Sequence, residues 1–209
     1  MFILLHVFVA VLAYLIGGIN GAIITSKYFY KKDIRQYGSG NPGLTNFYRV
    51  FGKRAVTGVI LIDMLKTIVP VVIGRVLFRN FYDMEVYGSI FAGLCVMLGH
   101  SYPVYYGFQG GKTVMAIGTF VFFVDWRLAL IAWGVFLVVF AVTRYVSLGA
   151  MIAALTYPIL IYALGIGGTR EIIVSVLSVL LLVFRHRDNI RRLINGTESK
   201  FRIKKDDES

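Results

Sequence analysis

The stretch Gly38-Ser39-Gly40-Asn41-Pro42-Gly43-Leu44-Thr45-Asn46-Phe47-Tyr48-Arg49 is polar and glycine-dense in an otherwise strongly apolar chain. Three glycines and a proline this close together favour a tight backbone whose N–H groups converge, the arrangement of an anion-binding nest. Ser39, Asn41, Thr45 and Asn46 add side-chain donors, and Arg49 adds a planar cation suited to gripping a phosphate or carboxylate with two nitrogens. Taken alone, the stretch fits a solvated inter-helix loop with a Ser or Thr cap about as well as it fits a phosphate site.

Two further polar blocks carry candidate chemistry. The run from His100 to Thr113 ends in Gly110-Gly111-Lys112-Thr113, which mimics the end of a Walker A loop but fails as one, because Tyr106 stands where its first glycine belongs. What remains is two glycines that let backbone approach an anion and a lysine at the start of a helix, whose dipole also favours anions. The run from Arg185 to Glu198 reads as a short amphipathic helix leaving the apolar region. His186 and Asn189 share one edge of its Ile190 and Leu193 stripe, Asp188 and Arg192 are spaced to pair on the wet side, and Gly196 is placed to stop the helix. Between these blocks, Arg144-Tyr145-Val146-Ser147 is a brief polar break that says little by itself.

The elements that position these blocks are membrane helices. The 209 residues are 57% hydrophobic with a mean hydropathy of +0.73, more apolar surface than a soluble domain of this size can hide. Apolar runs fall at about 2–25, 55–78, 86–99, 113–125, 127–143, 148–165 and 170–184, which predicts an all-α bundle of about seven transmembrane helices; several runs are short, so five crossings with re-entrant segments is the alternative. With seven crossings, 17 Lys and Arg residues fall on the inner side and four, Arg75, Arg79, Arg127 and Arg170, on the outer. That asymmetry puts the N-terminus outside and all three polar blocks in the cytoplasm. Asp63 and Lys66, three apart within the second apolar run, read as a mutually neutralising pair facing the bundle interior, and His100 as an interfacial histidine.

The net charge of +11 is gathered in blocks between apolar runs, which favours anionic lipid and anionic substrates over nucleic acid. A single cysteine, Cys95, rules out an internal disulfide and any cysteine-rich metal site. No repeat or linker divides the chain, so residues 1–198 form one expected domain and 199–209 a charged, disordered tail.

Taken in order, the blocks resemble the bacterial acyl-phosphate:glycerol-3-phosphate acyltransferases of the PlsY type over nearly the whole chain. The resemblance rests on Asp33-Ile34-Arg35, Gly38 to Gly43 and Thr45-Asn46 to Arg49; on Asp63 with Lys66; on Gly99-His100, Pro103 and Phe108 to Lys112; on Arg144-Tyr145 with Ser147-Leu148; and on His186, Asn189-Ile190, Arg192-Leu193, Gly196 and Glu198. It implies a multi-pass enzyme of the bacterial inner membrane that moves a fatty acyl group from acyl phosphate to glycerol 3-phosphate, without metal or cofactor, and leaves the oligomeric state open, a monomer included. It further implies that Ser39, Arg49, Lys112, His186 and Asn189 are catalytic and that Gly40, Asn41, Gly43, Thr45, Asn46, Gly110, Gly111, Ser147 and Glu198 line the substrates. The chain departs from the family pattern at Thr113, where a glycine usually stands, leaving room for a paralogue with a different donor or acceptor.

The residues themselves agree with direct transfer. No G-x-S-x-G elbow surrounds any serine and Cys95 lies in an apolar run, so a covalent nucleophile has little support. The His-x-x-x-x-Asp signature of other glycerophosphate acyltransferases is missing, since Val11, Tyr105 and Arg191 stand five residues after the three histidines. Two phosphates held by Arg49, Lys112 and a protonated His186 would bring a hydroxyl to the acyl carbon, with the acyl chain between helices. A transporter of a phosphorylated metabolite is the rival, but transporters bind near the midplane of repeated halves, and here the polar blocks cluster on one face.

Overall fold

The computed structural model describes residues 1–202, in which ten α-helices and two short 3₁₀ turns occur and no strand. Helix α1 spans Phe2–Gly17, α2 Gly21–Tyr30, α3 Leu44–Phe51, α4 Val56–Tyr82 and α5 Glu85–Ser101. Helix α6 spans Val114–Val124, α7 Trp126–Thr143, α8 Val146–Ala163, α9 Thr169–Arg185 and α10 Arg187–Ile194. Four segments are long and apolar enough to cross a bilayer: Phe2–Tyr30, Val56–Tyr82, Trp126–Thr143 and Val146–Ala163. Large apolar side chains face outward along them, as at Leu61, Leu65, Val69, Val72 and Val76 of α4, the pattern of a surface solvated by lipid.

Two of the expected runs differ from the helices found. The run near 113–125 gives an 11-residue helix, α6. At about 1.5 Å per residue that is roughly 16 Å, half a hydrocarbon core. The run near 2–25 is not continuous but breaks at Gly18-Ile19-Asn20. The broken backbone is repaired by side chains from elsewhere: Asn20 caps α2 by accepting from Ile23 N at 2.9 Å, Lys66 Nζ donates to Ile19 O at 2.7 Å, and Asp63 accepts from Gly21 N at 3.1 Å. Non-helical backbone at this depth is tolerated where the protein re-satisfies it in this way.

Helix α5 is central, packed on α1, α4, α6 and α9. Small residues permit the closest approach: a Cβ at Gly74 of α4 would meet the carbonyl of Gly88 on α5. Phe120 of α6 lies over Gly93 of α5 and meets Tyr157 of α8 edge-on, at 5.8 Å between ring centres. At one end of the bundle Phe2 and His6 pack with Phe78, Tyr82 and Tyr87. The 31–55 segment, the 102–113 loop, the α7–α8 junction and the α9–α10 junction lie at the other end, where the polar residues gather.

Candidate active site

At that end a cavity of about 650 Å³ is lined by Ser39, Asn41, Gly43, Thr45, Asn46 and Arg49 from the first block, Lys112 from the second, Ser147, and His186, Asn189 and Glu198 from the third. Three separate stretches of sequence thus surround one space. Four helices begin there: Leu44 and Thr45 open α3, Val114 and Met115 open α6, Val146 and Ser147 open α8, and His186 with Asn189 open α10. None of these four N-termini is capped by a side chain. First-turn N–H groups have no partner within their own helix, so the cavity gathers uncapped amide donors and the positive ends of four dipoles, a setting for anions.

The first block folds as a tight loop held from behind. Gly38 and Gly40 take left-handed φ values of +60° and +71°, which a glycine adopts without strain. Asn46 Oδ1 accepts from Ser39 N at 2.9 Å while its Nδ2 donates to Tyr37 O at 3.0 Å. Both ends of the Asn46 amide therefore brace the loop, and the side chain is buried. Asn20 ties the same loop to the helix break by donating to Pro42 O at 3.0 Å. Ser39 and Arg49 are exposed on the cavity wall. Gly40 does not line the cavity; its N–H turns inward to Tyr37 O at 3.0 Å.

Gly110 and Gly111, expected to touch substrate, also sit behind the wall. Gly111 N donates to His100 O at 3.0 Å, and the two glycine carbonyls accept from Arg185, at 2.8 Å from Nη2 and 3.1 Å from Nε. A Cβ on either residue would strike His100. These glycines are required because the loop is moulded onto that residue. Lys112 alone of the three reaches the cavity, where Nζ donates to Asn189 Oδ1 at 2.5 Å. Burial, with the nearby Arg192 cation, pulls the Lys112 ammonium down to about 8. Thr113, the departure from the family glycine, takes a left-handed φ of +66° as N-cap of α6, a conformation that strains a β-branched residue.

The third block is built around Glu198. Its Oε1 accepts from Ser147 Oγ at 2.7 Å and Asn189 Nδ2 at 2.6 Å, and its Oε2 from Arg192 Nε at 2.7 Å. Burial opposes the charge, but those three bonds outweigh it and hold the carboxyl below its ordinary value. Glu198 is therefore an anionic clamp across α8 and α10 rather than a phosphate ligand, and Arg192 pairs with it instead of with Asp188. Gly196, at φ +67°, ends α10 as expected, with Thr197 N bonded to Arg192 O at 2.8 Å and Gly196 N to Leu193 O at 3.2 Å. Just past Glu198, Phe201 N bonds Arg144 O at 2.9 Å and its ring stacks on Tyr48 at 5.2 Å, while Ser199 and Phe201 extend the cavity wall. The rest of the expected tail, 203–209, lies outside the described residues.

His186 is buried between α9 and α10 with Nδ1 against Leu182 O at 2.8 Å. A carbonyl only accepts, so Nδ1 carries the hydrogen and Nε2 presents a lone pair. Burial pulls the ring down to about 4, a pull that the Leu182 bond opposes and the Lys112 cation reinforces. It is neutral at physiological pH, not the protonated phosphate ligand expected above. Arg192, Asp63, His100, Trp133 and Phe136 also line the cavity and were missed as site residues. For Asp63 and His100 the signal was the charged pair inside an apolar run; the two aromatics look in sequence like any other membrane side chains. Trp133 and Phe136 lead, with Val114, into an apolar recess of about 60 Å³ between α6, α7 and α8, lined by Gly118, Ala150, Ala154 and Tyr157.

Fold and site together define a multi-pass helical membrane protein with an anion-receiving cavity at one end of its bundle and an apolar recess beside it. Its relatives make that specific: the family profile described as glycerol-3-phosphate acyltransferase matches residues 7–196. Glycerol-3-phosphate acyltransferase of Thermoanaerobacter pseudethanolicus is 42% identical over 194 residues, 93% of this chain and 94% of that one. Glycerol-3-phosphate acyltransferase 2 of Bacillus anthracis is 39% identical over 197 residues, 94% and 99% of the two chains. A crystal structure of PlsY (YgiH), an integral membrane glycerol 3-phosphate acyltransferase, in its glycerol 3-phosphate form superposes with a TM-score of 0.83 at 34% identity over 94% of this chain and 96% of that one. A lysophosphatidic acid form gives 0.81 at 32%, over 95% and 96%. The chain belongs to the glycerol-3-phosphate acyltransferase family of the PlsY type.

Proposed function

We propose that this chain acylates glycerol 3-phosphate with acyl phosphate as the donor, releasing lysophosphatidic acid and phosphate. The observation that carries the reading is the single cavity in which Arg49, Lys112, four uncapped helix N-termini and the neutral His186 meet, next to an apolar recess. Two phosphates need this much positive potential, and the small recess gives an apolar lining to the first methylenes of a fatty chain leaving the cavity. The relatives' names and the PlsY structures in glycerol 3-phosphate and lysophosphatidic acid forms support the acceptor.

In the reaction, the hydroxyl oxygen of glycerol 3-phosphate attacks the acyl carbon and the carbon–oxygen bond to phosphate breaks, its electron pair leaving with phosphate. The hydroxyl proton passes to His186 Nε2 or to an oxygen of the departing phosphate. Arg49 and Lys112 hold phosphate charge, Ser39 and the α3 and α6 amides complete that grip, and Asn189 with Ser147 orients the acceptor. Oriented reactants can account for about 7–11 kcal/mol of barrier reduction, and cations that stabilise the departing anion add to it. An anhydride already carries a good leaving group, so no acyl-enzyme is needed.

The excess of Lys and Arg in the segments at the site end supports a cytoplasmic orientation of the site in a bacterial cell membrane. Purified protein given acyl phosphate and glycerol 3-phosphate should form lysophosphatidic acid, and acid-quenched mixtures lacking acceptor should retain no acyl label on protein. Absence of product sinks the donor assignment; a kinetically competent acyl-enzyme sinks direct transfer.

A further inference from the structure

Behind the cavity three polar side chains meet inside the bundle. Asp63 and Lys66 form an ion pair at 2.7 Å, with side chains 2% and 3% exposed. The Lys66 ammonium also donates to Ile19 O at 2.7 Å and lies 2.7 Å from His100 Nδ1. An ammonium can only donate, so Nδ1 of His100 accepts, and the ring hydrogen sits on Nε2. All three hydrogens of Lys66 are then used, and the imidazole cannot flip without abandoning one of them. His100 is 5% exposed, yet it lines the cavity near Lys112, and Nε2 has no hydrogen-bond partner among the described residues. Nε2 is not sealed inside the protein, so this N–H is a donor with no protein acceptor at a residue that lines the cavity, free to meet a ligand oxygen there. The same residue moulds the lysine loop, since its carbonyl holds Gly111 N and both glycines pack on it.

We propose that His100 Nε2–H is a further substrate contact, donating to a phosphoryl oxygen of the acyl donor, and that Lys66 and Asp63 are the positioning residues that fix its tautomer. The proposal rests on the acyl-phosphate reading above. Its geometry separates two roles that the imidazole combines. An asparagine places its amide near Nδ1, where it can serve Lys66 only; a glutamine places its amide near Nε2, where it can serve the cavity only.

The test compares His100→Asn and His100→Gln in the purified enzyme, with KM and kcat measured for each substrate. The Asn variant should raise KM for acyl phosphate and lower its kcat/KM roughly 10- to 100-fold, the factor of one hydrogen bond to a charged group, while KM for glycerol 3-phosphate stays unchanged. The Gln variant should recover most of that loss. If Asn is active and Gln is not, or if both lose stability and both substrates' constants together, His100 only anchors Lys66 and the proposal fails. A measurement on the wild type is independent of variant folding: the ¹⁵N signal of His100 Nε2, distinguished from His6 and His186, should shift on adding inorganic phosphate, and an unmoved signal overturns the contact. A wild type that cannot use acyl phosphate at all refutes the donor assignment instead, whatever His100 does.

Discussion

Glu198→Gln tests whether the third block is built by a clamp or by a ligand. The carboxylate receives Ser147 and Asn189 on one oxygen and Arg192 on the other, all within 2.6–2.7 Å. An amide can keep the first oxygen but then presents NH₂ to Arg192 Nε, donor against donor. The two surviving bonds fall from charge-assisted to neutral, a loss of about 0.5–1.5 kcal/mol each. The Arg192 bond is lost as well, worth about 1 kcal/mol because that side chain is 39% exposed. Together the substitution should cost about 2–4 kcal/mol of stability. Asn189 loses its anchor too, so the thermal midpoint in detergent and kcat/KM for glycerol 3-phosphate should fall together. Ser147→Ala, which removes one donor and no charge, should show a smaller loss of the same kind. A Gln variant with the wild-type midpoint and an altered KM for glycerol 3-phosphate alone would refute the clamp, since only a carboxylate in contact with substrate behaves so.

Arg49→Lys should lower catalytic efficiency by roughly 10- to 150-fold, because the exposed guanidinium on the cavity wall offers two nitrogens to a phosphate and an ammonium keeps only the charge; unchanged kinetics would return it to a surface role. The profile of kcat/KM against pH should show an alkaline limb near 8, where the depressed Lys112 loses its cation, and an acid limb near 4, where His186 gains a proton on Nε2. Lys112→Arg should move the alkaline limb upward and leave the acid limb in place; a limb that does not move assigns it to another group. Thr113→Gly should relieve a left-handed strain of about 1–2 kcal/mol against a flexibility cost of about 0.5–1 kcal/mol, giving a thermal midpoint at or above that of the wild type. A lower midpoint would mean that the Thr113 hydroxyl bond to Lys112 O, at 2.6 Å, outweighs the strain.

Residue type and spacing made Ser39, Arg49, Lys112, His186 and Asn189 legible as candidates, because they stand in the polar blocks that interrupt an otherwise apolar chain. The Asp63–Lys66 pair was legible as two charges inside an apolar run, and the structure pairs them as expected. What spacing could not supply was the third dimension. The break at Gly18 to Asn20 depends on Lys66 and Asp63 forty-odd residues away, and His100 becomes more than an interfacial histidine only when Lys66 reaches it. Helical spacing pairs Arg192 with Asp188, whereas the chain returns after Gly196 to offer Glu198. The motif glycines were read as anion contacts from their freedom; Gly110 and Gly111 are small because His100 lies against them.

These contacts explain how distant segments form one stable site in a chain with few polar residues to use. Asn20 joins the helix break to the first loop, Lys66 joins the same break to His100, and His100 carries the lysine loop. On the opposite wall, Glu198 joins α8 to α10 and, through Asn189, reaches Lys112. Lys112, Ser147 and Asn189 are thus each held by a partner from another element, and no side chain caps the helix N-termini beside them. Caps would occupy the amide donors that an anion requires. The uncapped termini therefore depend on bracing from behind: the buried amides, imidazoles and ion pair lie on the cavity side, whereas buried hydroxyls deeper in the bundle, such as Ser89, Ser175 and Ser178, donate only to the backbone of their own helices.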